Sequence, residues 1–429
     1  MSFEWYLDFI DRGYSPSDED IVALFKVTPA AGLKMEDAAG RIASESSIGT
    51  WTTLTTMNEG IRRLMAKAYR FDNGYVRVAY PKDLFEKGNL PQLVSSVAGN
   101  IFGMKALQGL KLLDVGFPKW YIDSFKGPLR GIKGVREVLK VQDRPLLATV
   151  PKPKVGMTSE EHAAAGFEAW AGGIDLLKDD ENLSSQPFNR FEERVKLSFR
   201  KRDLAESETG DRKDYLVNVT SETREMAKRA KLVKDSGGSF VMVDILTVGW
   251  AALQTMREEC DDLGLAIHAH RSFHAAFTRN PDHGMSMLMV AKLSRLVGVD
   301  HIHIGTVVGK LESPLEEVKN LHEELTSTRF RGDRTTLDQQ WYSIKPTFPV
   351  CSGGLHPGIV PDVMNILSSE MIIQVGGGLW GHPMGGRAGA RAVRQAVDAH
   401  TGGVDLQEYA KTHEELKVAL EKWGFSRPI

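Results

Sequence analysis

The stretch RPLLATVPKPKVGMTSEEHAAAGFEAWAGGIDLLKDDEN, residues 144–182, reads as one strand–helix–strand unit. LLATV (Leu146 to Val150) is a short β-rich run, Thr158-x-x-Glu161 is the capping-box start of a helix, and GIDLLK (Gly173 to Lys178) is a second β-rich run. The rhythm repeats downstream through YLVNVT (Tyr215 to Thr220), FVMVDIL (Phe240 to Leu246), LAIHAH (Leu265 to His270), HIHIGT (His301 to Thr306), FPVCSGG (Phe348 to Gly354) and MIIQVGGG (Met371 to Gly378). Ser313-Pro314-x-Glu316 is a second capping-box pattern, with Pro at the first helical position. Eight runs in strict βα alternation over about 250 residues predict an α/β fold with a closed (β/α)8 TIM barrel; an open doubly wound sheet would give a similar string.

Upstream the pattern is mixed. IVALFKV (Ile21 to Val27) and YVRVAY (Tyr75 to Tyr80) alternate like strands, while MEDAAGRIASES from Met35 reads helical. The Gly and Pro cluster FKGPLRGIKG (Phe125 to Gly134) separates the two rhythms. The expected organisation is a smaller N-terminal α+β domain over 1–128 and a barrel domain over 129–429.

Composition narrows the function classes. The 429 residues carry 54 Lys plus Arg against 56 Asp plus Glu, a net charge of −2, which gives no bulk-charge basis for a nucleic-acid or membrane surface. Hydrophobic residues at 42% and charged residues at 26% describe a soluble globular chain with a sizeable core. Two cysteines, Cys260 and Cys351, are too few for a disulfide framework and favour a reducing compartment. The start MSFEWYLDFIDRGY lacks the basic and apolar regions of a signal peptide, and the longest apolar stretch, Phe240 to Leu253, is short for a membrane span and interrupted by Asp244. A cytoplasmic protein is expected.

In a (β/α)8 barrel the chemistry gathers at the C-terminal ends of the strands. After the first run comes PKPKVG, where extended geometry would aim both Lys152 and Lys154 into the mouth. The second run ends in Lys178-Asp179-Asp180-Glu181, a patch of oxygen ligands suited to Mg²⁺. Lys178 is the odd member, since a cation there either pairs with the carboxylates or loses its charge, and a neutral lysine can add CO₂. The fifth and sixth runs carry His268-x-His270-Arg271 and His301-x-His303, each pair on one strand face. Histidines on adjacent strands can converge on zinc, but the neighbouring Arg271 favours an anion. Lys310 sits in the Gly-flanked loop GTVVGKLE, able to close over a ligand. Ser352-Gly353-Gly354 and Gly376-Gly377-Gly378 end the seventh and eighth runs, where barrels often cradle phosphate on bare backbone N–H groups. A small doubly phosphorylated sugar matches this inventory, with enolisation, aldol cleavage and isomerisation all open.

The motifs GGIDLLKDDEN (Gly172 to Asn182), HAHRSFHAAFTRNPDHG (His268 to Gly284), GTVVGKLE, SGGLHPG (Ser352 to Gly358) and SESSIGTWTT (Ser44 to Thr53) resemble the large subunit of ribulose-1,5-bisphosphate carboxylase/oxygenase, RuBisCO, of the archaeal form III type, over essentially the whole chain. The resemblance implies a Mg²⁺-dependent carboxylase, a carbon–carbon lyase that enolises ribulose-1,5-bisphosphate, adds CO₂ or O₂, and with CO₂ yields two 3-phosphoglycerate. It implies that Lys178 reacts with CO₂ to form a carbamate, holds Mg²⁺ with Asp180 and Glu181, and removes the carbon-3 proton. Lys152 would assist enolisation and protonate the final carbanion, with Lys154 keeping it oriented. His270 would handle a proton and bind a substrate hydroxyl, and Lys310 would stabilise the new carboxylate.

One phosphate would meet Arg271, His303 and Ser352, and the other Gly354, Gly376 and Gly377 with Thr50 and Trp51; Gly353 and Gln374 complete the substrate-binding set. Glu45, Thr50, Trp51 and Asn100 would come from the front domain of a second subunit, so the active unit is a homodimer with shared sites, compatible with dimers of dimers or a ring of dimers. No small subunit, nucleic acid or membrane is expected as partner.

Three places depart from the branch's pattern: Ser272-Phe273 for Ala-Met, Leu379-Trp380 for Thr-Leu after Gly378, and Glu312-Ser313-Pro314 without the usual Gly. None removes a charged group of the mechanism. A RuBisCO-like enolase or isomerase typically loses several of Lys152, His270, His303, Lys310 and Ser352, all present here. A zinc-dependent barrel hydrolase places His-x-His on the first strand and its lysine on the fourth, an order this chain does not follow. A sugar-phosphate sensor has no evident use for a metal-bound carbamate.

Overall fold

The computed structural model describes residues 4–308 and 314–427. The chain divides into two compact units. The first comprises Met1–Lys126, Phe273–Val297 and Ser327–Ile344; the second comprises Gly127–Ser272, Gly298–Thr326 and Lys345–Ile429.

The first unit is built on β1 (Ile21–Pro29), β2 (Lys67–Asp72), β3 (Tyr75–Tyr80), β4 (Leu107–Gly116) and the two-residue β10 (Gly284–Met285), in the order β10-β4-β1-β3-β2. β2 and β3 form a hairpin across Asn73-Gly74, whose φ values of 43° and 86° are the left-handed pair that a two-residue turn requires. The helix Met35–Glu45 buries Ala38, Ala39, Ile42 and Ala43, the helical stretch expected from Met35.

This division differs from the contiguous boundary at residue 128, for a reason visible in the contacts. The Lys111 amine on β4 binds the carbonyls of Thr278 (2.8 Å) and Asn280, and β10 pairs in parallel with β4 at Lys111 and Leu112. Asp114, fully buried, receives Lys292 Nζ at 2.7 Å and the Leu337 N–H at 2.7 Å. A buried carboxylate needs such partners, and the ones Asp114 uses lie on Phe273–Val297 and Ser327–Ile344. The latter also holds the short hairpin of β12 (Arg329–Phe330) and β13 (Gln339–Gln340).

The second unit is a closed barrel of eight parallel strands: β5 (Leu146–Thr149), β6 (Leu176–Lys178), β7 (Asp214–Asn218), β8 (Phe240–Asp244), β9 (Ala266–His270), β11 (His301–His303), β14 (Phe348–Ser352) and β15 (Ile372–Gln374), with β15 pairing back to β5. These are the eight runs read from the sequence. The helix Gly131–Leu139 packs Ile132, Val135 and Leu139 against the first residues of the strands, among them Leu146, Leu176, Phe240, Ala266, Phe348 and Ile372. It thereby plugs the N-terminal end and leaves the C-terminal end as the mouth.

The Thr158 capping box forms as expected, with Thr158 Oγ1 accepting from Glu161 N at 3.2 Å and Glu161 Oε2 from Thr158 N at 2.8 Å. Ser313 of the second pattern lies outside the described residues, and the helix after it spans Leu315–Thr326 with Glu316 and Glu317 in its first turn. Among the described residues no helix is long and apolar enough to cross a membrane. Cys260 and Cys351 are free and buried, their thiols pushed up to about 12 by desolvation.

Closure between β5 and β6 is fixed by Asp175, which receives both Arg144 guanidinium nitrogens at 2.7 Å and the Leu147 N–H at 2.8 Å. Burial raises its carboxyl, but Arg144 outweighs that and holds it below the usual range. Asp175→Ala leaves Arg144 buried without its counter-charge, so urea unfolding of the variant should show a loss of about 3–5 kcal/mol.

Candidate active site

Lys178 closes β6 and is fully buried. Its Nζ donates to the Asp179 carbonyl at 2.8 Å and lies 3.9 Å from Glu181 Oε2. Desolvation lowers the lysine pKa from its ordinary value; Glu181, Asp244, Asp180 and Asp179 act the other way, with smaller effect. The neutral amine, with its free lone pair, is therefore favoured relative to an exposed lysine.

The acidic loop sorts into two kinds of carboxylate. Asp179, fully buried, is turned into the protein: Tyr215 donates to its Oδ1, His162 Nε2 lies 3.2 Å from the same oxygen, and its Oδ2 takes Arg194 Nη2 at 3.3 Å and Asn218 N at 2.9 Å. Burial pushes its pKa up, but Arg194, His162 and Tyr215 outweigh this and hold it at about 2. Reading all three carboxylates as one ligand patch is thus corrected, because Asp179 is consumed by structure. Asp180 and Glu181 remain. Asp180 Oδ2 receives Lys152 Nζ at 3.1 Å, and its Oδ1 receives the Asn182 backbone and side-chain amides at 3.1 and 3.0 Å. Glu181 Oε2 is 3.6 Å from His270 Nε2.

Among the described residues no three His, Cys, Asp or Glu side chains converge as a metal cage. Two carboxylates beside a buried amine nevertheless fit a hard cation once that amine becomes an anionic oxygen donor.

Lys152 and Lys154 are not held by extended geometry. The chain after β5 bends through 152–155, and while Lys152 reaches Asp180, Lys154 is exposed. His270, at the end of β9, bonds Asp244 Oδ1 through Nδ1 at 2.8 Å. His268, His301 and His303 are buried and hydrogen-bonded to one another, which leaves no zinc-like convergence. Desolvation first, and neighbouring positive charge second, keeps His268 and His303 well below the ordinary histidine range. Arg271 is also buried, which brings its pKa down to about 10, so it still carries its charge at neutral pH.

His303 Nδ1 contacts Ser352 Oγ at 2.9 Å, at the end of β14. Gly353 and Gly354 follow with φ of 116° and 75°, conformations that demand glycine. Gln374, ending β15, keeps its Oε1 buried without a hydrogen-bond partner among the described residues. A Cβ on Gly376 would sit 3.4 Å from Lys152 Cε, one on Gly377 would meet open space, and one on Gly378 would lie 2.2 Å from the Leu355 carbonyl. The Trp380 departure is a packing element: its indole N–H donates to Thr149 Oγ1 at 3.0 Å, and that hydroxyl donates to the Val375 carbonyl at 2.6 Å. Phe273 takes a φ of 74° and is exposed.

Lys310, with Glu312 and Ser313, lies outside the described residues. In the first unit Glu45 ends the helix Met35–Glu45, the Thr50 carbonyl accepts the Trp5 indole N–H at 2.9 Å, Trp51 is 65% exposed, and Asn100 opens the short helix Asn100–Gly103. Sequence reading missed two residues. Asp244 figures there only as a break in an apolar run, although a carboxylate at the end of a barrel strand is itself a signal. Asn218, at the end of β7, braces the acidic loop through the Leu183 carbonyl at 3.0 Å and the Asp180 and Glu181 carbonyls at 3.4 Å.

Comparison with known proteins gives one answer. The family model described as the ribulose bisphosphate carboxylase large chain, catalytic domain, matches residues 131–423, and that of the N-terminal domain matches residues 8–121. The ribulose bisphosphate carboxylase of Pyrococcus furiosus is 54% identical over 432 residues, covering 100% of both chains. That of Methanosarcina barkeri is 51% identical, covering 97% of this chain and 99% of its own. Among solved structures, the dimeric archaeal Rubisco from Hyperthermus butylicus superposes with a TM-score of 0.94 at 54% identity, over 98% of this chain and 99% of that one. The octameric Rubisco from Pyrococcus horikoshii gives 0.91 at 52% identity, over 99% and 100%.

The Asp179 network carries a pH signature. A carboxyl held at about 2 contributes stability that is complete above its unfolded pKa near 4 and is lost as pH falls through about 2. Unfolding free energy measured by denaturant titration between pH 5 and 2 should drop by about 2 kcal/mol from this group, and Asp179→Asn, less stable at neutral pH, should lack that increment.

Proposed function

The chain belongs to the ribulose bisphosphate carboxylase large-chain family, and from that premise we propose how its barrel mouth carries out the reaction. It is a carboxylase: ribulose-1,5-bisphosphate is enolised, CO₂ adds to the enediolate at carbon 2, water adds to the resulting carbon-3 ketone, and cleavage of the carbon-2–carbon-3 bond yields two 3-phosphoglycerate, O₂ being the competing addend. The observation that carries the residue assignment is the fully buried Lys178 amine between Asp179 and Glu181.

The neutral Lys178 amine attacks CO₂; the N–C bond forms as one C–O π bond opens onto oxygen, the amine proton is released to water, and an anionic carbamate stands where a cation is disfavoured. Carbamylated Lys178, Asp180 and Glu181 are the residues that would hold Mg²⁺, which when bound supplies Lewis-acid stabilisation of charge on the substrate oxygens. Carbamylated Lys178 then accepts the carbon-3 proton. His270, oriented by Asp244, binds a substrate hydroxyl and handles its proton. Lys152, at the rim beside Asp180, assists enolisation and protonates the final carbanion, with Lys154 keeping it oriented. Lys310 stabilises the carboxylate formed on CO₂ addition.

Arg271, His303 and Ser352 grip one phosphate. Gly354, Gly376 and Gly377 cradle the other, and Gly353 and Gln374 complete that rim. The buried, charged guanidinium of Arg271 at the end of β9 supports this reading, because a charge-assisted hydrogen bond to an anion is strong where water is excluded. Dimeric and octameric neighbours support a homo-oligomer, in which Glu45, Thr50, Trp51 and Asn100 of a second subunit complete the site, in a cytoplasmic setting and without a small subunit.

Carboxylation of ribulose-1,5-bisphosphate with labelled CO₂ tests the scheme. Preincubation with bicarbonate and Mg²⁺ before substrate should raise the initial rate of 3-phosphoglycerate formation, and Lys178→Met should abolish it. Equal rates with and without preincubation would remove the carbamate role. Asp244→Asn should lower kcat about 10–100-fold by releasing His270, with a smaller change in KM.

A further inference from the structure

Three buried histidines stand in one hydrogen-bonded line behind the mouth. His301 Nδ1 lies 3.4 Å from His268 Nδ1, His268 Nε2 lies 3.0 Å from His303 Nε2, and His303 Nδ1 lies 2.9 Å from Ser352 Oγ. Burial depresses all three, His301 to about 3, so each ring is neutral at physiological pH and owns one N–H.

One hydrogen per ring satisfies every link in two ways only. In the first, His301 donates to His268, His268 donates to His303, and His303 donates to Ser352 Oγ, which leaves His301 Nε2 as a bare lone pair. In the second every donor is reversed: Ser352 donates to His303, and His301 Nε2 carries the hydrogen. Nε2 of His301 is buried with no hydrogen-bond partner among the described residues, and the ring sits between Phe240 and Phe348 at centroid distances of 5.3 and 6.1 Å. A buried N–H without an acceptor is rarer and costlier than an unused lone pair. That selects the first arrangement.

We propose that His301 and His268 are positioning residues that fix the direction of this line, so that Ser352 Oγ is occupied as acceptor by His303 and its own O–H is left to donate to a phosphate oxygen of the substrate. The proposal rests on the reading of Ser352 as a phosphate ligand. Turned the other way, the hydroxyl would spend its hydrogen on His303 and meet the phosphate with lone pairs alone. The line therefore supplies a hydrogen-bond donor at the mouth; with both ring nitrogens engaged, His303 contributes to the phosphate grip through Ser352 and not by a hydrogen bond of its own.

Solid-state NMR of the full-length protein labelled with ¹⁵N-histidine reads the tautomers directly, the signals being assigned by their loss in His301→Phe and His268→Leu. His301 and His303 should carry hydrogen on Nδ1 and His268 on Nε2; hydrogen on Nε2 of His303 overturns the proposal. Kinetics give a second readout. Ser352→Ala and His268→Leu should each raise KM for ribulose-1,5-bisphosphate about tenfold with little change in kcat, and the double variant should be no worse than Ser352→Ala alone. Multiplying effects would mean that His268 only packs, which also overturns the proposal. If Ser352→Ala leaves KM unchanged, the phosphate reading of Ser352 fails, and with it the role given to its hydroxyl, whatever the tautomers are.

Discussion

A single amine held out of water is the constraint on which the proposed chemistry of this barrel depends. Lys178 ends a three-residue strand whose every position is buried, so its Nζ meets backbone and carboxylate instead of solvent. Desolvation and the surrounding acids pull its protonation in opposite directions, and desolvation has the larger effect. An exposed ammonium would be inert to CO₂. Burial makes the lone pair available, and it also means that any charge gained there must be matched nearby; Glu181 lies 3.9 Å from the amine and 3.6 Å from His270, and Asp180 pairs with Lys152 at 3.1 Å.

The barrel was legible because each strand is a short apolar run buried on both faces, bounded by turns and capped helices. The candidate residues at the strand ends stood out for the complementary reason: Lys178, His270, Ser352 and the glycine runs are residue types with no role in an apolar core. What stayed hidden depends on direction and on distant partners. Sequence places Asp179 beside Asp180 and Glu181, but only the fold turns it onto Arg194, His162 and Tyr215. Period-two spacing suggested that Lys152 and Lys154 share a face, whereas the chain bends there and only Lys152 reaches a carboxylate.

The two-unit division shows the same limit on a larger scale. Phe273–Val297 and Ser327–Ile344 carry no compositional break, and their membership in the first unit rests on long-range partners: the Lys111 amine, the buried Asp114 and a two-residue parallel pairing. Such links join residues more than 150 positions apart, so no local pattern announces them.

At Gly378 the absent side chain lets the loop after β15 rest directly on the Leu355 carbonyl of the loop after β14. The two rims are in effect one continuous surface, and a methyl group would wedge them apart. Bulk enters instead two residues further on, where the Trp380 indole is anchored on Thr149 Oγ1.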